Sequence, residues 1–196
     1  MLSSIHPLGE RARGNRWGRT AAFYVAGAVA GGAVVGTIAG SLGVLLFRNL
    51  SDGWVVGLVM GLGLGAALID GLHVRVPSPE RQVNETWLTR YRSWVYGAGF
   101  GFQLGTGVMT FVKTAAIYLL WALAALTGSI LAGAAIGAWF GLVRGAALLT
   151  VRRVADPAGL RDYFRRMARL EPVAGRVAVT SALIAATVAP ALAVAA

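Results

Sequence analysis

The chain has 196 residues, of which 57% are hydrophobic and 13% charged; its net charge is +10 and its mean hydropathy +0.67, too apolar for an ordinary soluble domain. The basic residues lie between apolar stretches and not along one soluble face, so the charge marks membrane flanks and excludes a nucleic-acid-binding reading. Cysteine is absent, which excludes disulfides, thiolate metal sites and dithiol electron relays.

The first twenty residues carry Arg11, Arg13, Arg16 and Arg19 without a short apolar core or a cleavage site, and read as a retained basic cytoplasmic tail. Residues 21–196 then read as a single polytopic membrane domain. Apolar spans follow at Ala21 to Phe47, Trp54 to Leu72, Trp94 to Leu126, Ile130 to Val151 and Val177 to Ala195, each long enough for the roughly 20 residues a bilayer requires. The expected fold is therefore an all-α integral membrane protein with about five transmembrane helices. The third span is overlong and contains Lys113, so one tilted helix, a broken helix and two elements all stay open. A crossing count of five puts the N-terminal tail, His73 to Ser93 and Arg152 to Arg176 on one side, which the positive-inside rule makes cytoplasmic, in a plasma or inner membrane.

Within the spans glycine recurs every fourth residue. Gly32, Gly36 and Gly40 form one run, Gly53, Gly57, Gly61 and Gly65 a second, Gly97, Gly101 and Gly105 a third, and Gly133, Gly137, Gly141 and Gly145 a fourth. On a helix each run occupies one face, where two backbones can approach closely in lipid, so glycine-zipper packing is expected, within one chain or between chains.

Two basic segments between spans look alike. Ser78 and Pro79 read as a helix start followed by Val83, Trp87, Tyr91 and Trp94; Asp156 and Pro157 read as another, followed by Leu160, Tyr163, Phe164 and Met167 opposite Arg161, Arg165 and Arg169. Both are expected as interfacial amphipathic helices, available to lipid or to a partner. The likeness of Gly57 to Leu68 and Gly137 to Leu148 adds a tandem duplication of hairpin plus interfacial helix, with repeats at 21–93 and 94–172 and a final helix at 177–195.

The polar residues inside the spans are Asp70, Gln103, Lys113 and Arg144. An Asp70 to Arg144 ion pair braced by Gln103 fits the expected topology, either as a structural bridge or on a solute or proton path; His73 is a proton acceptor or an interfacial residue. No nucleophile, metal-ligand set, cofactor motif or nucleotide loop is visible, so no catalytic residue, metal or cofactor is assigned.

Tyr96-Gly-Ala-Gly-Phe-Gly-Phe-Gln-Leu-Gly-Thr-Gly, followed by an apolar run and Thr127-Gly-Ser129, resembles the second half of the CcdA/DsbD-type transmembrane electron carriers, and Arg19 to Leu46 resembles an earlier helix of that fold. Where that family places its reactive cysteine-proline pair this chain has Leu104 and Gly105, so the resemblance implies a fold relative without the redox chemistry. Three functions follow: a non-catalytic scaffold or subunit with a membrane-protein partner or a second copy, favoured by the aromatic and arginine-rich segments; a small-solute transporter or channel using the four polar residues; and, least supported, a membrane enzyme.

Overall fold

The computed structural model describes residues 5–79, 86–154 and 156–195, with side chains described as far as residue 188. All of the regular structure among them is helical: α1 (Pro7–Ala12), α2 (Trp17–Leu46), α3 (Asp52–Gly71), α4 (Trp87–Arg90), α5 (Ser93–Thr106), α6 (Ala116–Leu126), α7 (Ile130–Ala146), a 3₁₀ stretch (Ala147–Arg153) and α8 (Pro157–Ala195). Four helical stretches are long and apolar enough to cross a membrane: Trp17–Leu46, Asp52–Gly71, Ile130–Arg153 and Pro157–Val188. Large apolar side chains stand on the outside, with Leu131 81%, Leu45 78% and Trp54 69% exposed. Lipid, not water, suits such a surface.

Helix α2 is the axis. Along one of its faces the main chain at Gly32, Gly36 and Gly40 lies against the backbone of Gly137, Gly133 and Ser129, so α7 runs antiparallel to it. On a second face Thr20, Tyr24 and Ala28 meet Gly97, Gly101 and Gly105, so α5 runs parallel to it, and Gly27 and Gly31 lie against Ala98 and Phe102. Further along, Gly43 reaches Ala125, and Ala39 joins Trp121 and Ala124 in one buried cluster, which puts α6 beside the second half of α2. A methyl group added at Gly32, Gly36, Gly101, Gly105, Gly137 or Gly141 would collide with a neighbouring carbonyl. Close approach at these points requires the missing side chain.

Helix α3 behaves differently. It packs antiparallel on α8 through Gly63, which lies against Ala182 and Ala186, and through Ala66 and Ala67 beside Val179 and Ala182. Gly53, Gly57, Gly61 and Gly65 face open space, with no atom within 4 Å of an added methyl.

The long third span is two helices of 14 and 11 residues, each short of the roughly 20 needed to cross alone. Gly107, in the left-handed region at φ 72°, ends α5 under the ring of Phe140. The helix expected to start at Ser78 does not: residues 74–79 are non-helical, α4 is only four residues long, and Val83 lies outside the described residues. Pro77 and Pro79 flank Ser78, and a residue preceding proline is biased toward extended backbone. The segment beginning at Arg152 and the final span are joined differently from the expectation, because α8 is one helix of 39 residues that runs through Pro172. Asp156 caps it, accepting the N–H of Gly159 at 2.7 Å.

These contacts separate the glycines by consequence. Gly36→Ala should destabilise the protein by about 1–3 kcal/mol or more, as overpacking does, whereas Gly61→Ala should be neutral or gain up to about 1 kcal/mol in helix propensity. Denaturation in mixed micelles measures both.

Candidate functional site

The break between α5 and α6 gathers most of the polar residues of the spans. Its backbone would be exposed to lipid without partners, and the protein supplies them from three directions. Thr106 Oγ1 accepts the N–H of Met109 at 3.2 Å and donates to the Gln103 carbonyl at 2.8 Å. Ser78 Oγ accepts the N–H of Val112 at 2.7 Å, and the Tyr118 hydroxyl donates to the Pro77 carbonyl. Asp70, at the end of α3, accepts the Ala115 N–H at 2.7 Å and the Thr114 hydroxyl, so its carboxylate sits at the positive end of α6. Beside it Lys113 Nζ pairs with Glu171 of α8 at 2.6 Å, both side chains largely exposed. Thr110, 8% exposed, has a buried hydroxyl without a hydrogen-bond partner.

Asp70 and Lys113 thus meet at the start of α6, the Gln103 carbonyl is bonded at the end of α5 on the other side of the break, and Arg144 joins neither. The Arg144 guanidinium lies 5.3 Å from the centre of the Phe140 ring on α7, with Nη1 buried and unpartnered. Among the described residues the ion pairs are Glu10–Arg13, Lys113–Glu171 and Asp162–Arg165; an Asp70–Arg144 pair is not one of them. His73, at φ 56°, is exposed and turns the chain out of α3.

A second polar centre was not visible in the sequence. Glu10 of α1 is fully buried; it accepts the Thr20 hydroxyl at 2.6 Å and the Tyr96 hydroxyl at 2.6 Å, and it pairs with Arg13 Nη2 at 2.6 Å. Asn15 donates to the Tyr96 oxygen at 3.0 Å. The carboxylate therefore ties the N-terminal segment to α2 and α5, above a core of Ile5, Ala21, Tyr24, Phe100, Leu148 and Val151. A lone acid inside an arginine run was the one available signal. Burial is the largest influence on Arg13 and opposes its charge, but the hydrogen bond and charge of Glu10 together with Tyr96 outweigh it and hold the pKa above its ordinary value. The His6 pKa is lowered, chiefly by burial and then by Arg13, while its Nδ1 caps α1 by accepting the Gly9 N–H at 3.2 Å.

The aromatic residues expected at the interface all make ring contacts within the chain, with Tyr91 and Trp94 exposed and Trp87, Tyr163 and Phe164 half-buried. Trp87 stacks on Phe100 at 5.8 Å and meets Tyr91 at 5.5 Å, Trp94 lies 6.0 Å from Phe23, and Tyr163 packs on Phe164 while sharing a 2.6 Å hydrogen bond with Thr150. Arg161, Arg165 and Arg169 are exposed. Among the described residues no group of His, Asp and Glu could hold a metal ion.

The chain is similar to the methylamine utilization protein MauF of several bacteria. It is 33% identical to that of Paracoccus versutus over 147 residues, 73% of this chain and 54% of the relative. The MauF proteins of Methylophilus methylotrophus and Paracoccus denitrificans are 32% and 35% identical, over 73% and 72% of this chain and 52% and 53% of theirs. The chain spans about half the length of the curated relatives it matches. No family model matches it, and no solved structure does. These relatives overturn the resemblance to the CcdA/DsbD-type carriers. The glycine-rich text from Tyr96 to Gly107 that suggested it has a local cause, since Gly97, Gly101 and Gly105 are where α5 touches the α2 backbone.

The Glu10 centre gives two expectations. Glu10→Ala removes the acceptor of the Thr20 and Tyr96 hydroxyls and should cost about 1–3 kcal/mol. Because the folded His6 pKa lies below its unfolded value, the cap contributes fully above the ordinary histidine range and is lost as pH falls through it to the folded value. Hydrogen exchange of residues 7–12 should accelerate on acidification, and His6→Gln should blunt that change.

Proposed function

We propose that this chain is a polytopic membrane subunit of a methylamine-utilization apparatus that acts through a protein partner and carries no catalytic centre of its own. The similarity to the MauF proteins supports the system, and the apolar helices support the location. The observation that carries the subunit reading is the uncovered face of α3. Gly57 to Leu68 reads like Gly137 to Leu148, yet Gly137 and Gly141 are filled by α2 while Gly57, Gly61 and Gly65 meet nothing. We read the two segments as copies of one repeat whose second surface pairs inside the chain and whose first pairs with a helix of another.

The same reading gives five crossings, the third formed by α5 and α6 end to end beside α2, with glycine-zipper packing around that axis. It places the basic end cytoplasmic, because the N-terminal arginines, Arg90, Arg92, Arg152 and Arg153 all flank the cluster of Ile5, Tyr96, Leu148 and Val151. The opposite end offers Arg48, Asp52 and an uncharged turn at 127–129.

Transport of a small solute is a second reading, favoured by the broken helix with Asp70 and Lys113 at its break. Methylammonium is the solute to try, and unchanged flux in Asp70→Asn and Lys113→Gln proteoliposomes would dismiss it.

The subunit reading is tested by Gly57→Leu and Gly61→Leu. A Cβ at either position meets nothing within 4 Å, so both variants should fold as the wild type does and lose a stoichiometric partner from material purified in mild detergent. Retention of the partner in both would contradict the reading.

A further inference from the structure

We infer that the first half of α8 is a binding site for the phosphate headgroup of an anionic phospholipid, formed by Arg161, Arg165, Arg166 and Arg169. The helix start is fixed to the bundle, since Leu160 and Tyr163 pack on the core cluster and Tyr163 is hydrogen-bonded to Thr150 at 2.6 Å. The arginines follow at positions that share a side of the helix away from that anchor, and all are exposed. Asp162, Arg165, Arg166 and Arg169 line one shallow depression there.

The local carboxylates do not balance these charges. Asp156 is engaged in capping the helix, Glu171 is paired with Lys113, and Asp162 reaches Arg165 at 3.6 Å. Arg161, Arg166 and Arg169 belong to none of the ion pairs among the described residues. The same helix continues into an apolar stretch with Val177, Leu183, Ile184 and Val188 exposed, so the guanidinium groups flank a surface made for acyl chains. Guanidinium matches phosphate in geometry and charge, and a headgroup is held at that depth by its own tails. A phospholipid satisfies both halves of the surface at once, which free phosphate cannot.

The full chain in nanodiscs of phosphatidylcholine with and without phosphatidylglycerol, released into native mass spectrometry, reads the retained lipid. Wild type should retain phosphatidylglycerol in preference. The preference should fall roughly fivefold for each arginine removed, on the order of 100-fold for Arg165→Gln/Arg166→Gln/Arg169→Gln, while Arg48→Gln, at the other end of the bundle, leaves it unchanged. A wild-type measurement needs no variant to fold: the preference should decline as salt is raised. Equal retention of both lipids, persistence of the preference in the triple variant or in high salt, or displacement of the lipid by inorganic phosphate would each overturn the inference.

Discussion

Backbone contact along α2 is the constraint on which the rest of the structure depends. In lipid the hydrophobic effect does not hold helices together, so close packing and the contacts it permits must do so. Glycines on several faces of α2, facing glycines and alanines on α5, α6 and α7, let three elements reach one axis without side chains between them. An axis shared this way fixes direction as well as distance: α7 antiparallel, α5 and α6 parallel. The outer pair α3 and α8 is then left to meet the centre mainly across α6.

The broken helix follows from that arrangement. An α2 of 30 residues presents more length than either α5 or α6 covers, and the two short helices share it. Their junction must be solvated by protein. Asp70, Ser78 and Thr106 are placed to do so, which makes the junction the point where outer and inner helices are tied by polar bonds. The transport reading rests on this junction, whereas the subunit reading rests on the open glycine face of α3.

The sequence displayed the helical character, the glycine periodicity and the membrane class, because apolar length and spacing are properties of one segment at a time. It displayed partners poorly. Asp70 and Arg144 have opposite charge and suitable depth, yet Asp70 is taken by the N-terminus of α6, a backbone group with no sequence signature. Glu10 was hidden in an arginine-rich stretch that composition assigns to solvent, and only the fold brings Thr20 and Tyr96 to it. Gly57 and Gly137 are indistinguishable as text; which of them is covered depends on where α2 lies. The texture of a glycine-rich helix also misdirected the family resemblance, since any helix that must touch a neighbouring backbone acquires it.

Electron spin resonance distances test the central arrangement most directly, because the chain has no native cysteine to interfere with labelling. Labels at Leu45 and Thr127 mark the far end of α2 and the exit of α6, and a label at Phe23 marks the near end. A discontinuous crossing beside α2 predicts a short distance for Leu45 and Thr127 and one approaching the bilayer thickness, about 30 Å, for Phe23 and Thr127. The reverse pair of distances would mean that α5 and α6 fold back as a re-entrant hairpin, and the α2 axis described here would be wrong.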